Sequence, residues 1–285
     1  MVSVRSNRRR RRGRGRLGPL LALLCILAAG AAVTVGATVF FQVEKIEVAG
    51  NSRYTDEEIV AVTGIVQGDN LYRINKVKIT GNLLHELPYI EGVNIRRKLP
   101  DTILVTVGEC GAAACVLPAV PIETAPPAET DPGEEAQPPE DVPAEGEPAA
   151  GPWLISAGGK LLEPAPDGTE IMKVAGITAL DPAAGAMLRL PEREALQREA
   201  LLGLLTALET MGQQDRITSV VMYPTHMEFR YLERFWVKMP LDQDFEDKLN
   251  LLERVVEETE ARHGEDVTGS FDLTRKKYDA IFSAD

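Results

Sequence analysis

An α+β fold carried on a single transmembrane helix is what this sequence predicts, and three observations predict it. Arg5, Arg8 to Arg12, Arg14 and Arg16 run directly into an uncharged apolar stretch, Leu17 to Phe41, with the next charge at Glu44. Residues 42–109 then alternate apolar strands with two short helices in the order β-α-α-β-β. After a proline-rich break, residues 153–285 carry further strands divided by two long amphipathic helices, a mixed β domain.

The apolar run of 25 residues would measure about 37 Å as a helix. That exceeds the roughly 30 Å hydrocarbon core of a bilayer, so it spans with some tilt. It is also longer than the roughly 7–15-residue apolar stretch of a cleaved leader. Arginines flanking a span are retained on the cytoplasmic side. The expected arrangement is therefore single-pass type II: a cytoplasmic arm at 1–16, a transmembrane helix at 17–41 and a body outside the cytoplasm. Beside a span, topology and attraction to lipid head groups account for the arginine cluster without invoking nucleic acid.

The chain holds 31 basic and 43 acidic side chains; without the eight arginines of the first 16 residues the balance is 23 to 43. A body this acidic repels polyanions and is a poor ligand for nucleic acid or anionic lipid, so no nucleic acid is expected as a partner, and membrane lipid is expected around the anchor. Of three cysteines, Cys25 falls in the apolar run, while Cys110 and Cys115 lie in ECGAAACV. If that stretch is extended their side chains leave opposite faces, so a bond between them would need a loop. No Cys/His cluster suggests a metal, and no cofactor is expected.

Within 42–109, Val43 to Val48 reads as a strand ending at the turn pair Gly50-Asn51. Thr55-Asp56-Glu57-Glu58 has capping-box spacing, with Ile59 and Val62 facing inward and Gly64 as a stop. A second helix fits Asn75 to Leu87 before Pro88. Ile90, Val93 and Ile95 suggest a strand, and Ile103, Val105 and Val107 another with period two.

FQVEKIEVAGNSRYTDEEIVAVTGIVQGDNLYRIN followed by LPYIEGVNIRRKLPDTILVTVGE resembles the FtsQ-type POTRA domain of the bacterial division proteins FtsQ and DivIB. VAGN, TDEEI, TGI-x-x-GDNLY-x-IN, LPYIE and RRKLPDTI-x-V-x-V follow one another in order, directly after the apolar run.

Residues 110–152 read as a connector. Its 118–152 portion holds ten of the chain's 19 prolines, nine acidic residues and no basic one, so it cannot bury enough apolar surface to offset its ordering entropy. A loose coupling between the flanking units is the expectation. Beyond it, Trp153 to Glu163 reads as a hairpin around Gly158-Gly159. Pro191 opens a helix with Leu196, Ala200, Leu201, Leu204, Leu208 and Met211 on one face and Gly212 at its end. Ile217 to Met222 and His226 to Met239 read as strands, Asp244 to Arg262 as a helix, and Val267 to Leu273 as a closing strand followed by RKKYDAIF. This half is similar to the FtsQ/DivIB β domain, with Val174 to Ile177 and Asp272-Leu273 matching its motifs and Ser156 departing from the usual Asp.

No nucleophile elbow, P-loop, H-E-x-x-H or dinucleotide fingerprint is present, and His85, His226 and His263 are scattered, so no catalytic residue, enzyme activity or small-molecule substrate is expected. Such a body acts by binding. An exposed sheet edge, whose unpaired N–H and C=O groups accept a partner's strand, is the expected device. Ser270, Phe271, Asp272, Leu273 and Thr274 are the expected edge, with Tyr278 and Phe282 as aromatic anchors. Arg96, Arg97 and Lys98 form a dense basic patch that offers a second binding face. The FtsQ/DivIB resemblance implies binding to FtsB/DivIC and FtsL through the C-terminal part, a place at the division septum, and a scaffold role coupling septum assembly to peptidoglycan synthesis. A polypeptide export or chaperone factor is the alternative, disfavoured by the single POTRA copy and the lack of barrel-type strands. A sensor ectodomain is disfavoured by the 16-residue arm.

Overall fold

The computed structural model describes residues 17–118, 147–264, 266–274 and 281–284, with the side chains at 17, 33–35, 37–39, 281 and 284 excepted. The arginine arm and residues 119–146, which hold most of the proline-rich segment, lie outside the described residues. Helix α1 runs Leu17–Phe40 with no charged residue along its 24 positions. Its continuously described side chains cover residues 18–32, and among the described residues no helix is long and apolar enough to cross a membrane.

The first unit places β1 (Lys45–Ala49), β2 (Ile90–Lys98) and β3 (Thr102–Glu109) in the order β1-β3-β2. β1 lies parallel to β3 and β2 antiparallel to it. Helices α2 (Asp56–Thr63) and α3 (Lys76–Glu86) cover one face. Thr55 caps α2 in a reciprocal capping box with Glu58, and Gly64 ends it at φ 64°. Asn75 caps α3 by accepting from the Lys78 N–H. Gly50 has φ +89°, and a side chain there would meet the Val107 carbonyl at 2.2 Å, so the VAGN turn admits only glycine. Ile59, Leu71, Leu83, Ile90, Ile103 and Val105 fill the core.

The second unit is a nine-stranded sheet: β4 (Ala114–Val116), β5 (Trp153–Ile155), β6 (Leu161–Pro164), β7 (Lys173–Ala175), β8 (Ile217–Met222), β9 (His226–Tyr231), β10 (Phe235–Pro240), β11 (Gly269–Asp272) and β12 (Ile281–Ala284). The spatial order is β12-β11-β10-β9-β8-β7-β4-β5-β6. Helices α4 (Ala195–Met211) and α5 (Phe245–His263) bury their apolar stripes against one face. They approach closely at Gly203, where a side chain would meet the Phe245 ring at 2.8 Å.

Four expectations change. Ala114–Val116, read as connector, is an inner strand between β7 and β5. The single stretch His226 to Met239 is a hairpin, turned by Leu232 (φ 52°) and Glu233 (φ 58°) without any glycine to announce it. Leu196 is exposed, because a 3₁₀ turn at Glu192–Glu194 follows Pro191 and delays the α-helix to Ala195. The loose coupling is replaced by a packed joint. Tyr89 of the first unit is buried with Cys115, Leu154 and Leu162 of the second, flanked by Tyr54 and Cys110. Cys110 and Cys115 are both free, consistent with β4 sending the Cys115 side chain to the face opposite Ala114 and Val116.

Polar contacts tighten this joint. The Tyr89 hydroxyl donates to the Glu163 carboxylate, and the Arg53 guanidinium sits 3.5 Å from the Tyr89 ring centroid. Burial first, and the Glu163 bond second, push the Tyr89 hydroxyl up to about 12. Ser156 donates to Glu91 at 3.3 Å.

Candidate functional site

The expected edge is one strand out of place. β11 is paired on both sides, parallel to β10 from Phe235↔Gly269 to Lys238↔Asp272 and antiparallel to β12 from Gly269↔Ala284 to Asp272↔Ile281. Among the described residues the strand at this end of the sheet is β12, which begins with the last two residues of RKKYDAIF, a tail that carried no strand assignment. Its four residues follow a polar stretch and alternate too briefly to register as a period.

Pairing sorts the expected residues by face. Phe271 (1% exposed), on β11, and Leu273 (0%), just past its end, belong to the core cluster of the second unit. Ser270 and Asp272 occupy the opposite, half-open face. Thr274 is exposed and donates through its backbone N–H (2.8 Å) and hydroxyl (2.6 Å) to Asp272 Oδ1, closing the end of the strand. Tyr278 lies outside the described residues. Phe282 fastens β12: its ring centroid lies 5.0 Å from Phe271 and 5.8 Å from His263. Gly269 makes the seat, since a side chain there would meet the Phe282 ring at 2.6 Å. Buried Lys248 of α5 donates to the Leu273 carbonyl at 3.2 Å and pins the end of β11 to the helix.

The face away from the helices carries alternate residues of β9, β10 and β11. Glu228, Trp236, Lys238, Ser270 and Asp272 line a shallow groove of about 300 Å³ there. Trp236 is 43% exposed, unusual for so large an aromatic, and the Arg230 guanidinium lies 5.2 Å from its ring. Glu228 Oε1 lies 3.3 Å from His226 Nε2 and 3.8 Å from Lys238 Nζ. Trp236 was legible only as an aromatic in a strand; its phase opposite buried Phe235 and Val237 is the signal that identifies it.

The basic patch divides as a strand requires. On β2, Arg96 and Lys98 share the open face, where Lys98 lies 3.3 Å from Glu47, while Arg97 points to the helix side and donates to the Leu71 carbonyl at 2.6 Å. Three consecutive cations therefore do not make one face. Among the described residues no group of His, Cys, Asp and Glu side chains is placed to hold a metal.

The FtsQ-type POTRA domain pattern matches residues 41–109. The cell division protein FtsQ of Corynebacterium glutamicum is 32% identical over 90 residues, 32% of this chain and 40% of that protein. FtsQ of Syntrophotalea carbinolica is 30% identical over 93 residues, 33% of this chain and 31% of the relative. DivIB of Clostridium acetobutylicum is 34% identical over 70 residues, 25% of this chain and 28% of the relative. The matched segments thus span less than half the length of these relatives. The chain thus carries an FtsQ-type POTRA domain and is similar over part of its length to FtsQ and DivIB proteins.

Proposed function

We propose, for a chain that carries an FtsQ-type POTRA domain and is related to FtsQ and DivIB, a non-enzymatic scaffold role in cell division. α1 anchors it in the cytoplasmic membrane with the body outside, and the body binds FtsB/DivIC and FtsL at the septum, coupling septum assembly to peptidoglycan synthesis. The observation that carries the binding reading is β12: it pairs with β11 on one side, and its other side is the end of the nine-stranded sheet among the described residues. An edge of that kind takes up an extended partner segment through its backbone groups, while neighbouring side chains select the partner. The Trp236 groove lies two strands inward on the same sheet and supplies that selectivity.

The test is binding of the full chain in lipid nanodiscs to a purified FtsB/DivIC–FtsL ectodomain pair. Ala284→Pro removes a backbone donor from the outer side of β12, since Ser283 opposite Ser270 turns its own backbone groups to β11, and obstructs strand addition. An affinity loss of about tenfold or more with the melting temperature retained supports the edge. Unchanged affinity overturns the edge, and absence of binding by the parent chain overturns the partner assignment.

A further inference from the structure

The loop leading into α3 lies against the point where the chain leaves α1. The Leu71 N–H donates to the Phe41 carbonyl at 2.9 Å, Gln42 bridges to Asn70, and the Val43 N–H donates to the Asp69 carbonyl at 2.8 Å. The Tyr72 ring meets the Phe41 ring edge-on at 5.2 Å. Tyr72 is nevertheless 55% exposed. Arg97 reaches this loop from β2, its Nε donating to the Leu71 carbonyl and its guanidinium 5.5 Å from the Tyr72 ring. Arg73 is exposed on the next position and lines a cleft of about 410 Å³ with Gly68, Asp69, Asn70 and Ile74. The acid of this cleft is engaged: Asp69 Oδ2 accepts from the Val66 N–H at 3.0 Å. The loop is also held in shape, with Asn70 Oδ1 accepting from the Tyr72 N–H at 2.9 Å and the Arg73 N–H donating to the Asn70 carbonyl at 2.9 Å.

An exposed tyrosine that packs on Phe41 just past an apolar helix end, with the Arg97 guanidinium over its ring and Arg73 next in sequence, has the composition of a membrane interface layer. Charge distribution agrees. Residues 41–109 carry 8 basic and 10 acidic side chains, whereas residues 110–285 carry 15 and 33. The strongly acidic part of the body is thus the part beyond the first unit, and the cations of the first unit include two beside the helix exit. We infer that Tyr72, Arg73 and Arg97 form a docking face for the anionic phospholipid head groups of the leaflet around the C-terminal end of α1. Arg97 and Arg73 take up lipid phosphates, and Tyr72 enters the interface between them. Docking would hold the first unit flat against the bilayer and fix the direction in which the packed second unit projects. The inference rests on α1 being the membrane anchor.

The test places the full chain in nanodiscs containing lipids brominated near the head group, with either zwitterionic lipid alone or about a third phosphatidylglycerol. Two tryptophan probes are compared with the parent: Phe40→Trp reports the anchor and Tyr72→Trp reports the docking face. The expected result is extra quenching at both, with quenching at position 72 stronger on the anionic disc. Arg73→Glu should weaken quenching at position 72 and leave position 40 unchanged, since losing one cation changes attraction to an anionic surface about fivefold and the new carboxylate adds repulsion. Arg97→Gln should do the same, and the melting temperature separates a docking effect from loss of its bond to Leu71. Quenching at 40 without quenching at 72 overturns the docking face and keeps the anchor, leaving the face to a protein partner. Quenching at 72 indifferent to lipid charge and to Arg73→Glu overturns the phosphate contact. No quenching at 40 overturns the anchor and the inference with it.

Discussion

The ammonium group of Lys160 lies 2.6 Å from the carbonyl oxygen of Ile90, reaching from the second unit into the first. It donates as well to the Leu87 carbonyl at 3.3 Å, at the end of α3. Lys160 is buried, and burial pushes its ammonium below the ordinary lysine range, against the opposing pull of Cys110 and Glu91. One cation thus ties the carbonyl just past α3 and the first carbonyl of β2 together, across the joint between the two units.

Replacing Lys160 by Met keeps the apolar stem and removes the donor. Stability should fall by about 1.5–3 kcal/mol, the range for a charge-assisted bond and for a buried acceptor left unpaired. The joint should also loosen. Cys110, whose thiol burial pushes up to about 11, is protected in the folded chain and should react faster with a thiol reagent in the variant. Thermal melting and labelling rate at fixed pH check both parts.

Glu109 gives the first unit a pH response. Burial works to raise its carboxyl, but bonds from the Ser52 hydroxyl and from the backbone N–H groups of Ser52, Arg53 and Tyr54 outweigh that and bring it down to about 2. A carboxylate lowered in the folded state contributes stability that is present above the ordinary value of 4.5 and is lost as pH falls toward about 2. Chemical denaturation between those limits should show a decline that Glu109→Gln flattens. A decline of equal slope in the variant would assign it to other carboxylates.

Phe282→Ala should release β12 while leaving β10 and β9 paired, because its ring is the side chain that joins β12 to Phe271 and His263. Loss of one aromatic pair with partial burial is worth about 1–3 kcal/mol. Hydrogen exchange at the amides of Ser270 and Asp272, which face β12, should speed up, with α4 unaffected. Gly269→Val should produce the same pattern by blocking the seat.

Trp236→Ala should separate binding from folding. Its ring is on the open face rather than in the core, so the melting temperature should move little, by the equivalent of under about 1 kcal/mol. Affinity for a partner at the C-terminal sheet should fall about tenfold or more if the exposed aromatic is an anchor. Calorimetric titration beside a thermal melt distinguishes the two.

Much of the molecule is determined by the sequence by itself, wherever one local rule decides. Thr55 with Glu58, Asn75, Gly64 and Gly212 mark helix ends through backbone chemistry within four residues. Period-two alternation marks Ile103, Val105 and Val107, and an uncharged 24-residue helix follows directly from Leu17–Phe40. Tertiary structure alone decided the rest, because the deciding contacts join residues far apart in the chain. Leu232 and Glu233 adopt left-handed conformations that side chains disfavour, held by the strands they connect. Ala114–Val116 becomes a strand because β7 and β5 supply its hydrogen bonds. β11 loses its edge because four residues near the C-terminus pair with it, and Lys160 becomes a joint anchor because folding brings Leu87 and Ile90 to it from some 70 positions away. Such pairings are fixed by which surfaces exclude water together, a property of the packed chain and not of any short segment.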